Sequence, residues 1–387
     1  MYTTQFFPLL VRHLHCCRLF KGVPFKYDKN LKKLVLVENP RDIQIFRAQC
    51  VIMLLYVVAM FLHLCFGPLT VQKKFQAFSF FAIYLIMHLV KWNYRLELAP
   101  IQVINSCMKF ERELVKGEEG MKMSTTAKVM VCFMTTLQYS VIGFPVGIFC
   151  LLVFDPCFPP FLLSMSTNCS AIKWTNFGPE ILVLVFETWM AAQAIYSGCI
   201  WAFYILFVGI TCALNYLQVV RCKMARAKKL VQHKLCIRTY RQVHIVEKMF
   251  NDYLMARITP AIVMAIPAIQ IVTQFVSVTM HDQIAMPGFL VFPLFLVNGF
   301  INNVLVFTLA SWINSTSKEM LEKFGRQVAH VGGKGRAYLR KEVQSLNCMK
   351  IKFGTNFIDR GTPLVIQNFC LAQTMSLVLI RSSKAHK

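Results

Sequence analysis

Seven stretches of this 387-residue sequence are apolar over roughly the length that a bilayer demands, and the connections between them alternate between strongly basic and almost uncharged. The stretches cover residues 50–71, 75–90, 128–154, 181–220, 258–280, 286–312 and 363–380. A helix needs about 20 mostly apolar residues to span the hydrocarbon. The fourth stretch is too long for the bilayer alone at ~1.5 Å per residue. Its end, around Tyr216–Val220, is therefore expected to continue into the cytoplasm.

The formal net charge is +24, and its placement decides what it means. A nucleic-acid-binding protein gathers its bases on a binding face. A membrane protein keeps Lys and Arg in its cytoplasmic connections. Here bases crowd the segment before the first apolar stretch (Arg12 to Arg47) and the connections two–three, four–five and six–seven. The intervening connections carry Lys73 and Lys74, then Lys173, then none, and the tail after the last stretch carries Arg381, Lys384 and Lys387. The pattern argues against nucleic acid. It predicts an all-α integral membrane protein with seven transmembrane helices, the N-terminus cytoplasmic and the C-terminus extracellular. Charged residues are only 16% of the chain, against about a quarter in soluble domains.

This topology divides the chain into a cytoplasmic N-terminal segment (1–47), helices one to six (48–312), cytoplasmic anchor helices (313–362) and a last helix with a short outer tail (363–387). No cleavable signal sequence opens the chain, so the first apolar stretch is expected to act as the insertion signal. Asn168-Cys169-Ser170 forms a glycosylation acceptor triplet on the outer side. Cys157 and Cys169 share that loop and can pair in an oxidising exterior; two free thiols are the alternative. No C-x-x-C pair suggests a metal site. On the cytoplasmic side, residues 224–255 read as an amphipathic helix, 316–324 and 338–349 as further helices, and 332–335 as a glycine-rich turn.

No nucleophile, base and orienting group come together in the sequence, so neither an enzyme nor a cofactor is expected. The ionisable residues inside the apolar stretches are His63, His88 and Glu187. An intramembrane acid is costly and marks a functional position by default, which makes Glu187, in Phe186-Glu187-Thr188-Trp189, a candidate pocket residue. Side chains in the outer half with an aromatic body or a polar handle suit small organic ligands. Tyr84, Tyr139, Trp189, Gln274 and Phe295 meet that description.

The inverted seven-helix layout, the basic second and third cytoplasmic loops and the abrupt end after the last helix resemble the arthropod gustatory and odorant receptor superfamily. Members often close the last helix with Thr-Tyr, five apolar residues and Gln-Phe. Here the corresponding run is Thr374-Met375, Ser376 to Ile380, then Arg381-Ser382, which keeps the threonine and the spacing and departs at the Tyr, Gln and Phe positions. The resemblance implies a tetrameric ligand-gated cation channel in the plasma membrane of sensory neurons, a homomer or a heteromer with a co-receptor, that opens to a small organic tastant or odorant. Each subunit would give its last helix to the pore, with Gln367 and Thr374 on the pore face, Val378 one turn below the gate, and Arg381 and Ser382 at the gate itself. A ring of arginines would disfavour cations unless Arg381 snorkels away from the axis. Two other classes fit seven spans. A G-protein-coupled receptor requires the opposite orientation, and the chain lacks Asn-Pro-x-x-Tyr and a well-placed Asp-Arg-Tyr. A transporter would show matching halves or broken helices, for which Pro260, Pro267, Pro287 and Pro293 are the nearest signals.

Overall fold

The structure, a computed structural model, describes residues 2–115, 125–166, 169, 172, 174, 178–256, 258–284, 286, 288–330 and 335–385. Its helices are α1 Phe7–Leu19, α2 Pro40–Phe66, α3 Val71–Lys91, α4 Ala99–Val115, α5 Thr125–Phe154, α6 Pro179–Cys199, α7 Val208–Arg226, α8 Leu230–Leu254, α9 Ile258–Thr279, α10 Val291–Ala329, α11 Arg336–Gln344 and α12 Thr362–Ala385. Two small antiparallel hairpins join them, β1 Phe25–Asp28 with β2 Lys33–Leu36, and β3 Lys352–Phe353 with β4 Asn356–Phe357. The second hairpin turns at Gly354, whose φ of 55° is a conformation that glycine adopts without a Cβ penalty.

Among the described residues, six helical stretches are long and apolar enough to cross a membrane. They correspond to α2, α5, the continuous run from α6 to α7, α9, α10 and α12. The seventh expected span, α3, has 21 residues, but Lys73, Lys74, His88 and Lys91 dilute its apolar character. It packs inside the bundle against α2, α6 and α9. Local chemistry sets the helix starts. Asn39 accepts from the Arg41 amide at 3.1 Å and Pro40 opens α2 with a preset φ. Thr70 caps α3 through the Lys73 amide at 3.4 Å.

The central stave is the run from Pro179 to Arg226, 83% buried over its most apolar window. Between α6 and α7 it widens into a π-helical segment, Ile200–Phe207. The sequence there, Ile-Trp-Ala-Phe-Tyr-Ile-Leu-Phe, is bulky on every side, and Trp201 and Tyr204 are fully buried. Segments of this kind are rare and concentrate at functional sites.

The N-terminal segment packs into the bundle. Phe6, Phe7, Leu10, Leu14 and Cys17 of α1 and the turn before it belong to the main core. The carbonyl of Phe20 accepts from Gln49 at 2.7 Å and from Gln193 at 2.9 Å, and the buried Lys91 ammonium donates to Gln193 at 2.7 Å. A Cβ at Gly22 would stand 2.5 Å from Ser197 Oγ and 3.0 Å from Gln193 Oε1, so a larger residue there would push these side chains out of the junction. Farther along, Glu111 of α4 accepts from the Tyr2 and Thr3 amides at 2.6 and 2.9 Å, the Thr3 hydroxyl at 2.5 Å and the Tyr216 hydroxyl at 3.2 Å. Burial alone would push this carboxyl up, but the Thr3 hydroxyl and the two amides outweigh it and hold it below the ordinary value.

Helix α10 does not stop at Trp312 but runs on to Ala329, so its 39 residues extend ~58 Å at the standard rise. Its far half packs with α11. The expected amphipathic helix at 224–255 is divided, since α7 ends at Arg226 and α8 starts at Leu230. Glu247 and Asn251 of α8 hold the strand that leads to α12. Lys350 N donates to Glu247 at 3.2 Å, Lys352 N to Asn251 Oδ1 at 2.9 Å, and Asn251 Nδ2 to Lys350 O at 2.8 Å. Tyr240 donates to Asn347 O at 2.7 Å, and Met349 N to Ser317 Oγ at 2.8 Å. Burial pushes the Glu247 carboxyl up, against the Lys350 and Asn251 donors that favour its charged form. Of the glycine-rich turn at 332–335, only Gly335 is described.

Candidate ligand cavity and last helix

A cavity of about 220 Å³ lies inside the bundle among α3, α5, the π-helical segment, α9 and α10. Its walls are apolar, with Met87, Phe144, Phe203, Ile266 and Phe295 facing it. Polar groups enter at one side only: Ser140 of α5 and Asn298 and Asn302 of α10. Ser140 and Asn298 are exposed, so the cavity opens sideways between α5 and α10. Such a space accommodates a small, mostly apolar organic molecule with one hydrogen-bonding group.

An aromatic cluster closes the cavity on the side of Phe144. The Tyr84 ring sits 6.5 Å from Phe144, 5.4 Å from Tyr56 and 6.4 Å from Phe161. Glu187 is fully buried in this cluster. One of its oxygens accepts from the Tyr56 hydroxyl and the other from the Leu162 amide at 2.5 Å. The Tyr84 hydroxyl is buried against Tyr56 without reaching hydrogen-bond geometry. Leu162 belongs to the connection after α5, so Glu187 ties that connection down onto the bundle. Three other contacts hold the same region: the disulfide Cys157–Cys169, Ser164 Oγ with His63 Nε2 at 3.3 Å, and Trp174 Nε1 donating to Val153 O at 2.9 Å. The acceptor Asn168 lies outside the described residues.

The structure gathers four of the six residues singled out for ligand binding. Tyr84, Glu187 and Trp189 share the aromatic cluster, where Trp189 packs on Phe186 at 5.9 Å. Phe295 joins that cluster through Phe80 at 5.6 Å and also lines the cavity. Tyr139 and Gln274 fall elsewhere. Tyr139 is 71% exposed, on the far side of α5 from Phe144, in a shallow groove with Arg12, His13 and Tyr196. Gln274 faces α12, where it accepts from Thr374 Oγ1 at 3.4 Å. Both placements have one cause: a helix apolar all round carries no sequence signal for which side faces the bundle. The lining residues Ser140, Asn298, Gly299 and Asn302 were not anticipated. A signal existed, since Asn298, Asn302 and Asn303 interrupt an apolar stretch where polar groups are costly.

The last helix departs from its expected orientation. Gln367, Cys370, Thr374, Val378 and Arg381 recur every three or four residues and so share one side of α12. That side packs against α9 of the same chain. Gln367 accepts from Gln270 Nε2 at 2.9 Å, Val378 packs on the cluster of Phe275 and Val276, and Arg381 Nη1 donates to Thr279 Oγ1 at 3.1 Å. Thr374 is buried and returns its hydroxyl to Cys370 O at 2.8 Å. Gln367, Thr374, Val378 and Arg381 therefore do not occupy the free face of the helix. Their polar groups find partners on α9 or within α12, the outcome that hydrocarbon surroundings favour. Ser382 is exposed. The free face carries Asn368, Ala372, Ser376 and Leu379. The start of α12 is fixed by Asp359, whose Oδ1 accepts from the Thr362 hydroxyl at 2.7 Å and from the Thr362 and Gly361 amides at 2.9 and 3.1 Å. The Thr362 hydroxyl, chief among these donors, holds that carboxyl below its ordinary value.

The whole arrangement has counterparts among solved structures. The olfactory receptor OR5 of the insect Machilis hrabei, in complex with eugenol, superposes with a TM-score of 0.58 at 12% identity, covering 96% of this chain and 97% of that one. The structure of the same receptor described without eugenol gives a TM-score of 0.56 at 9% identity, covering 95% and 97%. The fold is that of an insect olfactory receptor. The likeness takes in the helices long enough to cross a membrane and the remaining helices together, since almost nothing of either chain is left over. No family model matches the sequence, and no curated protein matches it. The fold is thus preserved where the residues are not.

Proposed function

We propose that this chain is a chemosensory receptor, gustatory or odorant, that works as a subunit of a ligand-gated, cation-conducting channel. In this reading α3 completes seven spans, the N-terminus is cytoplasmic, and α12 from four subunits surrounds the pore. The ligand is a small organic molecule, largely apolar, seated in the cavity between α5 and α10.

The observation that carries the channel reading is the state of α12. Only 11% of its most apolar window is buried within the chain, yet its free face presents Asn368, beside Ser376, whose hydroxyl returns to Ala372 O at 2.9 Å. Polar groups facing lipid are costly, so a water-filled path or a second subunit is the natural neighbour of that face. The engagement of Arg381 with Thr279 supports cation passage, because it draws the guanidinium towards α9 and off the free face.

Whole-cell recording of the chain expressed alone tests the proposal, with eugenol, the ligand in the solved complex, as first probe beside a panel of tastants and odorants. A ligand-evoked cation current without added G protein supports the reading. A response that disappears on G-protein blockade and leaves no direct conductance overturns it.

A further inference from the structure

The polar edge of the cavity has a definite hydrogen-bonding sense, because backbone carbonyls orient the groups on it. Ser140 Oγ lies 2.9 Å from Leu137 O. A carbonyl only accepts, so the single hydroxyl proton is spent there and Ser140 offers the cavity lone pairs alone. The terminal amide of Asn302 lies 2.8 Å from Asn298 O, which makes the facing atom Nδ2. The same Nδ2 also meets the side-chain amide of Asn298, so the Asn298 atom at that contact is the acceptor Oδ1. Both N–H groups of Asn302 are thereby used within α10. Two groups are left over, the acceptor Oδ1 of Asn302 and the donor Nδ2 of Asn298. Among the described residues neither has a partner.

The edge thus presents one donor group, Asn298 Nδ2, together with two acceptors, Asn302 Oδ1 and Ser140 Oγ. It lies at the mouth between two helices of membrane-crossing length, where unmet polar groups are costly. The rest of the lining carries no charged side chain. Several classes of occupant fail on these terms. An ammonium or a carboxylate would be buried without a counter-charge. An ester, ketone or ether accepts from Asn298 and leaves both acceptors unmet. A hydrocarbon meets none of the three. A polyol brings more hydroxyls than one edge of an otherwise apolar space satisfies. A single hydroxyl on an apolar body both accepts and donates, as the edge requires.

We infer that the cavity selects neutral alcohols and phenols with one hydroxyl, held at the mouth between α5 and α10. The hydroxyl accepts from Asn298 Nδ2 and donates to Asn302 Oδ1 or Ser140 Oγ. The apolar walls supply most of the affinity, and these three residues set the choice among molecules of similar shape. This ligand class rests on the reading of the cavity as the ligand site.

Three probes of nearly equal size and shape separate the classes. Para-ethylphenol donates and accepts, its isomer para-methylanisole only accepts, and para-ethyltoluene does neither. Each is titrated against the full chain in lipid nanodiscs, and the unfolding midpoint is followed by fluorescence-detected size exclusion after heating. A ligand of the folded state raises the midpoint as its concentration passes Kd. Uptake by empty nanodiscs puts the three probes on one scale of concentration in lipid.

The phenol is expected to bind about tenfold or more tighter than the hydrocarbon, with the ether between them, as two neutral hydrogen bonds allow. Asn298→Leu should remove the advantage of the ether over the hydrocarbon. Asn302→Leu with Ser140→Ala should remove the advantage of the phenol over the ether. Neither change should weaken binding of the hydrocarbon. The three positions are exposed or half-buried, so the variants are expected to keep the unliganded midpoint of the parent chain. Equal binding of the three probes, or a phenol preference that survives both sets of substitutions, overturns the hydroxyl selection and leaves the cavity standing as a ligand site. No midpoint shift with any probe sinks the cavity reading and the ligand class with it.

Discussion

The run from α6 to α7 and the helix α12 are both apolar enough to span a membrane, yet one is 83% buried in the chain and the other 11%. Their polar residues follow the same division. On the first, Glu187 and Gln193 are bonded within the chain, to Tyr56 and Leu162 and to Phe20 and Lys91. On the second, Gln367, Thr374 and Arg381 have partners on α9, whereas Asn368 and Ser376 lie on an exposed face, where the Ser376 hydroxyl bonds only within α12, to Ala372 O. The contrast separates a helix whose environment the chain supplies from one whose environment comes partly from outside it.

The sharpest way to break the comparison is a bulky residue on the free face of α12. Ala372→Trp should abolish assembly and current while leaving the thermal unfolding of the single chain unchanged, measured by fluorescence-detected size exclusion after heating. A matching loss of monomer stability would mean that this face is packed after all. Next in size is Glu187→Ala. It leaves the Tyr56 hydroxyl and the Leu162 amide buried without their acceptor, and such orphaned groups cost about 1–3 kcal/mol each. A loss of about 2–4 kcal/mol in unfolding free energy is expected, with Glu187→Gln intermediate, against less than about 0.5 kcal/mol for the exposed Asn368→Ala.

A third test uses pH near the Arg226 end of the central stave, where Tyr216 of α7 donates to Glu111. The folded Glu111 carboxyl titrates below its ordinary 4.5. Its contribution is therefore complete above that pH and fades as the pH falls through the folded value. Glu111→Gln should destabilise the chain by about 1.5–3 kcal/mol at neutral pH, the range for hydrogen bonds to a charged group. The gap should close in acid, and melting curves between pH 7 and 3 read it. A gap that stays constant with pH would show that the carboxylate charge is not what matters. The smallest effect is expected at Arg381. Because its guanidinium is held by Thr279, Arg381→Gln should leave the cation-to-anion permeability ratio within about twofold, since a charge off the pore axis is screened. A large change would return Arg381 to the pore.

Much of the fold was legible because it follows from apolar length and charge segregation. The apolar stretches at 50–71, 128–154, 181–220 and 258–280 correspond to α2, α5, α6–α7 and α9, since a helix long enough to cross a bilayer needs a long uncharged run. The N-terminal helix was not legible. Phe7–Leu19 mixes His, Arg and Cys with its apolar residues, and only tertiary packing reveals that Leu10, Leu14 and Cys17 are core. The site was half legible. Glu187 stood out because an acid is expensive in hydrocarbon, and Tyr84 and Phe295 do lie beside it or on the cavity. Tyr139 and Gln274 lie apart from the cavity because facing depends on neighbouring helices, which no single apolar segment records. The same limit turned Gln367 and Thr374 inward. Their seven-residue spacing says they share a face but not what that face meets.

The most direct measurement compares cysteines on the two sides of α12. Ser376→Cys and Thr374→Cys would each be exposed to a positively charged methanethiosulfonate reagent during ligand-evoked current, with the parent chain as control. Rapid block at 376 and none at 374 is the result expected if the free face of α12 borders the conducting path. Block at 374 with none at 376, or no block at either, would contradict it.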